Sequence, residues 1–127
     1  MLSKNTILFL SSFLIGIFFF LSGISKISSL HDVSKGFSKK IRILDFNFCV
    51  ITIIAVIILE ILAPIFIVNA SLNGNKLLGY YSCISLILFT LLANLIYHFP
   101  PKKENYNPFM RNMAIIGGLL LLSLEFK

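Results

Sequence analysis

FNFCVITIIAVIILEILAPIFIV, residues 46–68, carries one charged side chain, Glu60, and one helix breaker, Pro64, in 23 positions. At about 1.5 Å of rise per residue this run crosses a hydrocarbon core of about 30 Å as a single α-helix. The segment that follows, residues 69–76 with Asn73-Gly74-Asn75 at its centre, is too short for anything but a turn between antiparallel helices. On either side the pattern repeats. Residues 77–97 form an apolar run bracketed by Tyr80, Tyr81 and Tyr97, aromatic residues of the kind that sit at membrane interfaces. Residues 109–126 form a shorter one, where Ala114, Gly117 and Gly118 permit close approach to a neighbour. Residues 6–25 complete the set. This first run is longer than a signal-peptide core and ends in no A-x-A-like cleavage site, so it reads as a retained helix. Ser12, Gly16, Gly23 and Lys26 fall near one of its faces, the composition of a helix-packing seam.

Composition supports the same reading. Of 127 residues 57% are hydrophobic and 13% charged, with a mean hydropathy of +0.95, whereas a soluble domain carries about 25% charged residues. Four spans and short connections use the whole length, so residues 1–127 read as one all-α domain, a four-helix membrane bundle. The first connection holds more. Val33, Phe37, Ile41, Leu44 and Phe48 recur at helical intervals with Lys35, Lys39, Lys40 and Arg42 between them, which predicts a basic amphipathic helix in the membrane surface. The net charge of +6 thus points to anionic lipid beside the basic loops rather than to nucleic acid. Lys4, Lys76 and Lys127 fall on one side of a four-span topology. Lys26, Lys35, Lys39, Lys40, Arg42, Lys102, Lys103 and Arg111 fall on the other. The first and third loops are therefore expected in the cytosol and both termini opposite.

A carboxylate at membrane depth is costly, which makes Glu60 the first candidate for function, as a proton relay or ligand contact. Pro64 lacks the N–H that would bond the carbonyl of Glu60 and leaves a free acceptor beside it. Counted from the basic end, the same depth falls near Ser11 and Ser12, near Ser82, Cys83 and Ser85, and near Ser123, which predicts a buried polar layer. The alternative is a carboxyl bonded to a neighbouring serine that only fixes helix orientation. A second set lies at the basic face: Lys26, Asn94 and His98 at i and i+4, and Arg111 with Asn112. A pocket for a quinone or another amphipathic molecule has this composition. Snorkelling accounts equally for Lys26 and Arg111.

Several chemistries are disfavoured. Cys49 and Cys83 lie about 20 Å apart by helical rise, beyond disulfide reach of ~7 Å, and no Cys-x-x-Cys occurs. His31 and His98 are too dispersed for a metal or haem pair, and no phosphate-binding glycine motif is present. A transporter or proton channel needs a continuous polar path, and residues 50–59 are broken only by Thr52.

Phe20-Leu21-Ser22-Gly23-Ile24-Ser25-Lys26, Leu59-Glu60-Ile61-Leu62-Ala63-Pro64, His98, and Arg111-Asn112-Met113-Ala114-Ile115-Ile116-Gly117-Gly118 occur in order along the chain. Together they resemble the DoxX family of small four-helix membrane proteins. Many members have glycines after the glutamate where this chain has Ala63 and Pro64. The resemblance implies a four-helix membrane fold and a link to respiratory or redox complexes: a subunit that binds a quinone or docks a redox partner, without an enzyme activity of its own. The rival expectation is a structural or assembly protein of a cellular or viral membrane, similar to a cargo receptor, working with a membrane-protein partner or as a homo-oligomer.

Overall fold

A computed structural model describes residues 3–41, 45–97 and 106–126, the side chain of Tyr106 excepted. Five helices account for nearly all of these: α1 (Lys4–Ser28), α2 (Leu30–Lys40), α3 (Phe46–Asn73), α4 (Lys76–Tyr97) and α5 (Tyr106–Glu125). The chain is all-α, and α1, α3, α4 and α5 are each long and apolar enough to cross a membrane. The surface agrees with that solvent, since Leu14, Ile51, Leu77, Leu88, Leu121 and Leu124 are all more than half exposed. Apolar side chains displayed this densely are stable against acyl chains and not against water.

Local chemistry sets the helix ends. Ser3 caps α1 by accepting from the Thr6 amide at 3.2 Å. Asp45 caps α3 by accepting from the Phe48 amide at 2.7 Å. At its other end α3 runs past residue 68 to Asn73, because Asn73 donates to Asn69 one turn back and Ala70 is buried. Gly74 then adopts φ 72°, a left-handed conformation that glycine reaches without strain, and its amide bonds the Ala70 carbonyl. The Asn75 side chain accepts from the Leu78 amide at 3.2 Å. The α3–α4 turn is therefore Gly74 and Asn75 alone, tighter than the eight-residue connection the sequence predicts.

Around the bundle α1 packs on α3, α3 on α4 and α4 on α5, and a narrower α1–α5 contact closes the ring. The predicted seam on α1 is its buried face: Ser12, Gly16, Phe19 and Gly23. A Cβ added at Gly16 would lie 3.2 Å from Cβ of Pro64, and one at Gly23 would lie 2.9 Å from Cγ1 of Ile61 and 3.2 Å from Cβ of Glu60. The glycines thus stand on α1, Gly16 opposite Pro64 and Gly23 opposite Glu60 and Ile61, and the helices approach closely without glycine on α3. Of the two α5 glycines only Gly118 meets α1, a Cβ there lying 3.4 Å from Cδ1 of Ile15. Ala114 and Gly117 face outward, so the expected close approach uses one of the three small residues.

The amphipathic helix is present as α2, with a shorter extent and a different seat. Asp45 opens a new helix, so Phe48 belongs to the first turn of α3, and Arg42 and Leu44 lie outside the described residues. The apolar side of α2 turns onto the bundle: Phe37 is buried with Cys49, Ile53 and Ile57 of α3, flanked by Leu30, Val33 and Ile41. Only the polar side, with His31, Asp32, Lys35, Lys39 and Lys40, is exposed. Packing against α3 satisfies the stripe that periodicity alone assigned to the bilayer.

Candidate functional site

Glu60 lies in the middle of α3 and is 1% exposed. Its carboxylate accepts a hydrogen bond from the Lys26 ammonium at 2.5 Å, and the same ammonium donates to Oγ of Ser22 at 2.8 Å. Helix geometry explains the meeting. In an α-helix each Cα–Cβ bond tilts toward the N-terminus. Because α1 and α3 run antiparallel, the Lys26 side chain leans from the last turn of α1 into the bundle while the Glu60 side chain leans toward it. Gly23, one turn before Lys26, removes the side chain that would hold the two helices apart. The Lys26 side chain keeps 25% of its surface accessible and that of Glu60 keeps 2%. The two formal charges cancel where a single charge is expensive.

Beside this pair a cavity of about 510 Å³ lies between α2, α3 and α4. Its walls are mainly carbon: Gly36 and Phe37 from α2, Val56 from α3, Leu92 and Tyr97 from α4. Lys26 is the charged residue among those that line it. Thr52, also in the wall, donates its hydroxyl to the Phe48 carbonyl of its own helix at 3.0 Å. Leu92 is 58% exposed, so the cavity communicates with the apolar outer surface between α3 and α4.

The other predicted residues divide. Asn94, 1% exposed, accepts from Nδ2 of Asn112 at 3.2 Å and donates to the Phe109 carbonyl at 3.4 Å, tying α4 to α5. Arg111 is exposed and holds its guanidinium 5.9 Å from the centroid of the Phe18 ring, a cation–π arrangement. His98 lies outside the described residues. Lys26 and Glu60 therefore form one cluster, Asn94 and Asn112 a second, and Arg111 stands apart from both.

The buried polar layer predicted around Glu60 is not at its level. Counting from the basic end assumed helices that start at one level, but among the described residues α3 reaches further toward the α2 end than α4 does. Counted from the shared Gly74–Asn75 turn, Glu60 stands level with Phe89 and Thr90. On α1 it stands against Gly23, with Ser22 and Lys26 close by. Ser12 falls nearer the turn, since the α1–α3 register already sets Gly16 beside Pro64. Ser123 falls there too, one turn before Phe126, whose ring lies against Gly79. The glutamate partner missed by depth counting is Lys26, and the direction of helical side chains was the signal that could have found it. Thr90, Ser12 and Ser34 are buried hydroxyls without a hydrogen-bond partner among the described residues.

Cys49 and Cys83 are free and fully buried. Among the described residues no three or more His, Cys, Asp and Glu side chains gather in one place. Fold and site together define a multi-span membrane protein whose bundle encloses one lysine–glutamate pair beside an apolar cavity. Comparison with family models, with curated proteins and with solved structures returns no match.

Proposed function

We propose that this chain is a DoxX-like membrane subunit that binds an amphipathic small molecule, a quinone among the candidates, in the cavity beside Lys26. The observation that carries the reading is an apolar cavity of ligand size whose wall includes Lys26, the partner of Glu60. Small-molecule sites are mostly apolar with a few placed polar groups, and volumes of about 300–1,000 Å³ are usual. A redox role would come from the bound molecule and from a partner complex, with this chain supplying the seat.

Gly36 provides the test. It lines the cavity, and a Cβ added there meets nothing within 4 Å, so Gly36→Phe can set a ring into the space without a clash at its first carbon. After gentle detergent extraction, mass spectrometry should find one amphiphile retained by the wild-type protein at near-equal molar ratio and lost from Gly36→Phe. A wild-type protein that carries only bulk membrane lipid contradicts the reading.

A second reading is a structural or assembly protein, working with a membrane-protein partner or as a homo-oligomer. It is favoured by the engagement of Glu60, since a carboxylate already bonded to Lys26 serves to fix α1 on α3. In either role the exposed Lys35, Lys39 and Lys40 of α2 would face anionic headgroups on the cytosolic side. Single cysteines at Ser38 and Asn75, in a background with Cys49 and Cys83 replaced by alanine, test that orientation. A membrane-impermeant thiol reagent applied to intact cells should label the Asn75 position and spare the Ser38 position. The reverse pattern inverts the topology.

A further inference from the structure

We infer that the cavity beside Lys26 selects uncharged amphiphiles that carry an oxygen hydrogen-bond acceptor, such as a ketone, ester or quinone carbonyl, over anionic and cationic ones. The inference rests on the ligand-binding reading above and specifies its chemistry. An ammonium group has three N–H donors and no acceptor. Lys26 uses one on Glu60 and one on Ser22, which are its hydrogen-bond partners among the described residues. Its side chain still has 25% of its surface accessible and contributes to the cavity wall. A third donor is therefore available to a guest, on an element whose position is fixed by the other two bonds.

The same geometry decides the charge of the guest. Glu60 already balances Lys26, so the pair presents the cavity with no net charge. An anionic guest would need a second cation inside apolar walls, or would have to displace a carboxylate that is 1% exposed and held at 2.5 Å. A cationic guest sets a second positive charge beside Lys26, and the Thr52 hydroxyl in the wall offers it a neutral acceptor but no counter-charge. A carbonyl oxygen accepts the third N–H and adds no charge. The apolar body of the guest lies against Phe37, Val56 and Leu92, and the exposure of Leu92 gives it a lateral route from the acyl-chain region.

The experiment uses the full chain in nanodiscs and a set of probes sharing a twelve-carbon chain: a methyl ketone, an alkyl benzoquinone, the alkane, the carboxylate and the ammonium. Binding is read by native mass spectrometry and by competition. The ketone and the quinone should bind about tenfold or more tighter than the alkane, the scale of one charge-assisted hydrogen bond. The carboxylate and the ammonium should bind no tighter than the alkane. The tighter of the two carbonyl probes indicates whether the natural guest is a quinone or an ester-like lipid. Gly36→Phe should abolish binding of every probe. In Lys26→Met/Glu60→Leu, which removes both charges together, the carbonyl preference should vanish while the alkane still binds.

Equal binding of ketone and alkane would overturn the inference and leave a cavity that binds by shape alone. A carboxylate that outcompetes the ketone would overturn the neutrality argument. Absence of binding by every probe would remove the ligand-binding reading together with the inference.

Discussion

Lys26→Met is expected to cost the folded protein about 3–5 kcal/mol, the range for breaking a buried ion pair from one side. The side that remains is the reason. Glu60 is 1% exposed, and its bond to Lys26 is the one hydrogen bond its side chain makes among the described residues. Glu60→Gln should cost much less. A glutamine carbonyl still accepts from Lys26, and an ammonium that is a quarter accessible near the end of α1 can swing toward the headgroups. Lys26→Met/Glu60→Leu should recover most of the loss, because apolar groups of similar volume replace a buried pair with little net change. Cys49 and Cys83, both fully buried, give a native reporter: their thiols become reactive only when the bundle opens. Labelling against temperature in detergent orders the variants. A Lys26→Met protein as resistant as the wild type would show that the ammonium normally lies outside the bundle.

Gly23→Leu is the second large effect. Even the first carbon of the new side chain would lie 2.9 Å from Ile61, 3.2 Å from Cβ of Glu60 and 3.4 Å from the Ile57 carbonyl, so leucine must push α1 away from α3. Overpacking of this kind costs about 1–3 kcal/mol in a core that can yield and more in one that cannot. Here the separation also lengthens the Lys26–Glu60 bond. Gly117→Leu is the matched control. A Cβ at Gly117 meets nothing within 4 Å, and the larger side chain simply joins the lipid-facing surface. The thiol-labelling midpoint should fall for Gly23→Leu and stay put for Gly117→Leu. Equal behaviour of the two would mean that α1 does not pack on α3 through Gly23.

These contrasts indicate which features the sequence made legible. Long apolar runs declared the four crossing helices, and the spacing of Ser12, Gly16 and Gly23 declared the contact face of α1, because both are properties of one helix at a time. Relations between helices were harder to read. The level of Glu60 depended on where α3 ends, and Asn69, Asn73 and Gly74 carry that helix one turn beyond its apolar run. On α4 an error of little more than one turn moved the expected level of Glu60 from Thr90 to Ser85, and on α1 an error of about three turns moved it from Ser22 to Ser12. The seat of α2 was hidden for a related reason. Its apolar stripe fits a bilayer as well as it fits Cys49, Ile53 and Ile57, and only tertiary packing distinguishes the two.

The split of the basic-side residues follows from the same limit. Lys26, Asn94, Arg111 and Asn112 all belong to one end of the bundle, yet they occupy different faces of their helices. Asn94 and Asn112 turn toward each other between α4 and α5, whereas Arg111, one residue earlier on α5, points outward over Phe18. Adjacent positions on a helix differ by about 100°. Proximity along the membrane normal therefore does not make a shared site.

The position of the Lys26 ammonium decides both the α1–α3 contact and the chemistry of the cavity. Solid-state NMR of the protein in lipid bilayers, labelled with ¹⁵N at lysine and ¹³C at glutamate, measures this through the dipolar coupling between Nζ of Lys26 and Cδ of Glu60. A strong coupling, as required by a 2.5 Å contact between Nζ and Oε1, is the predicted result. Loss of that coupling, with Nζ of Lys26 instead coupled to lipid phosphorus, would contradict it.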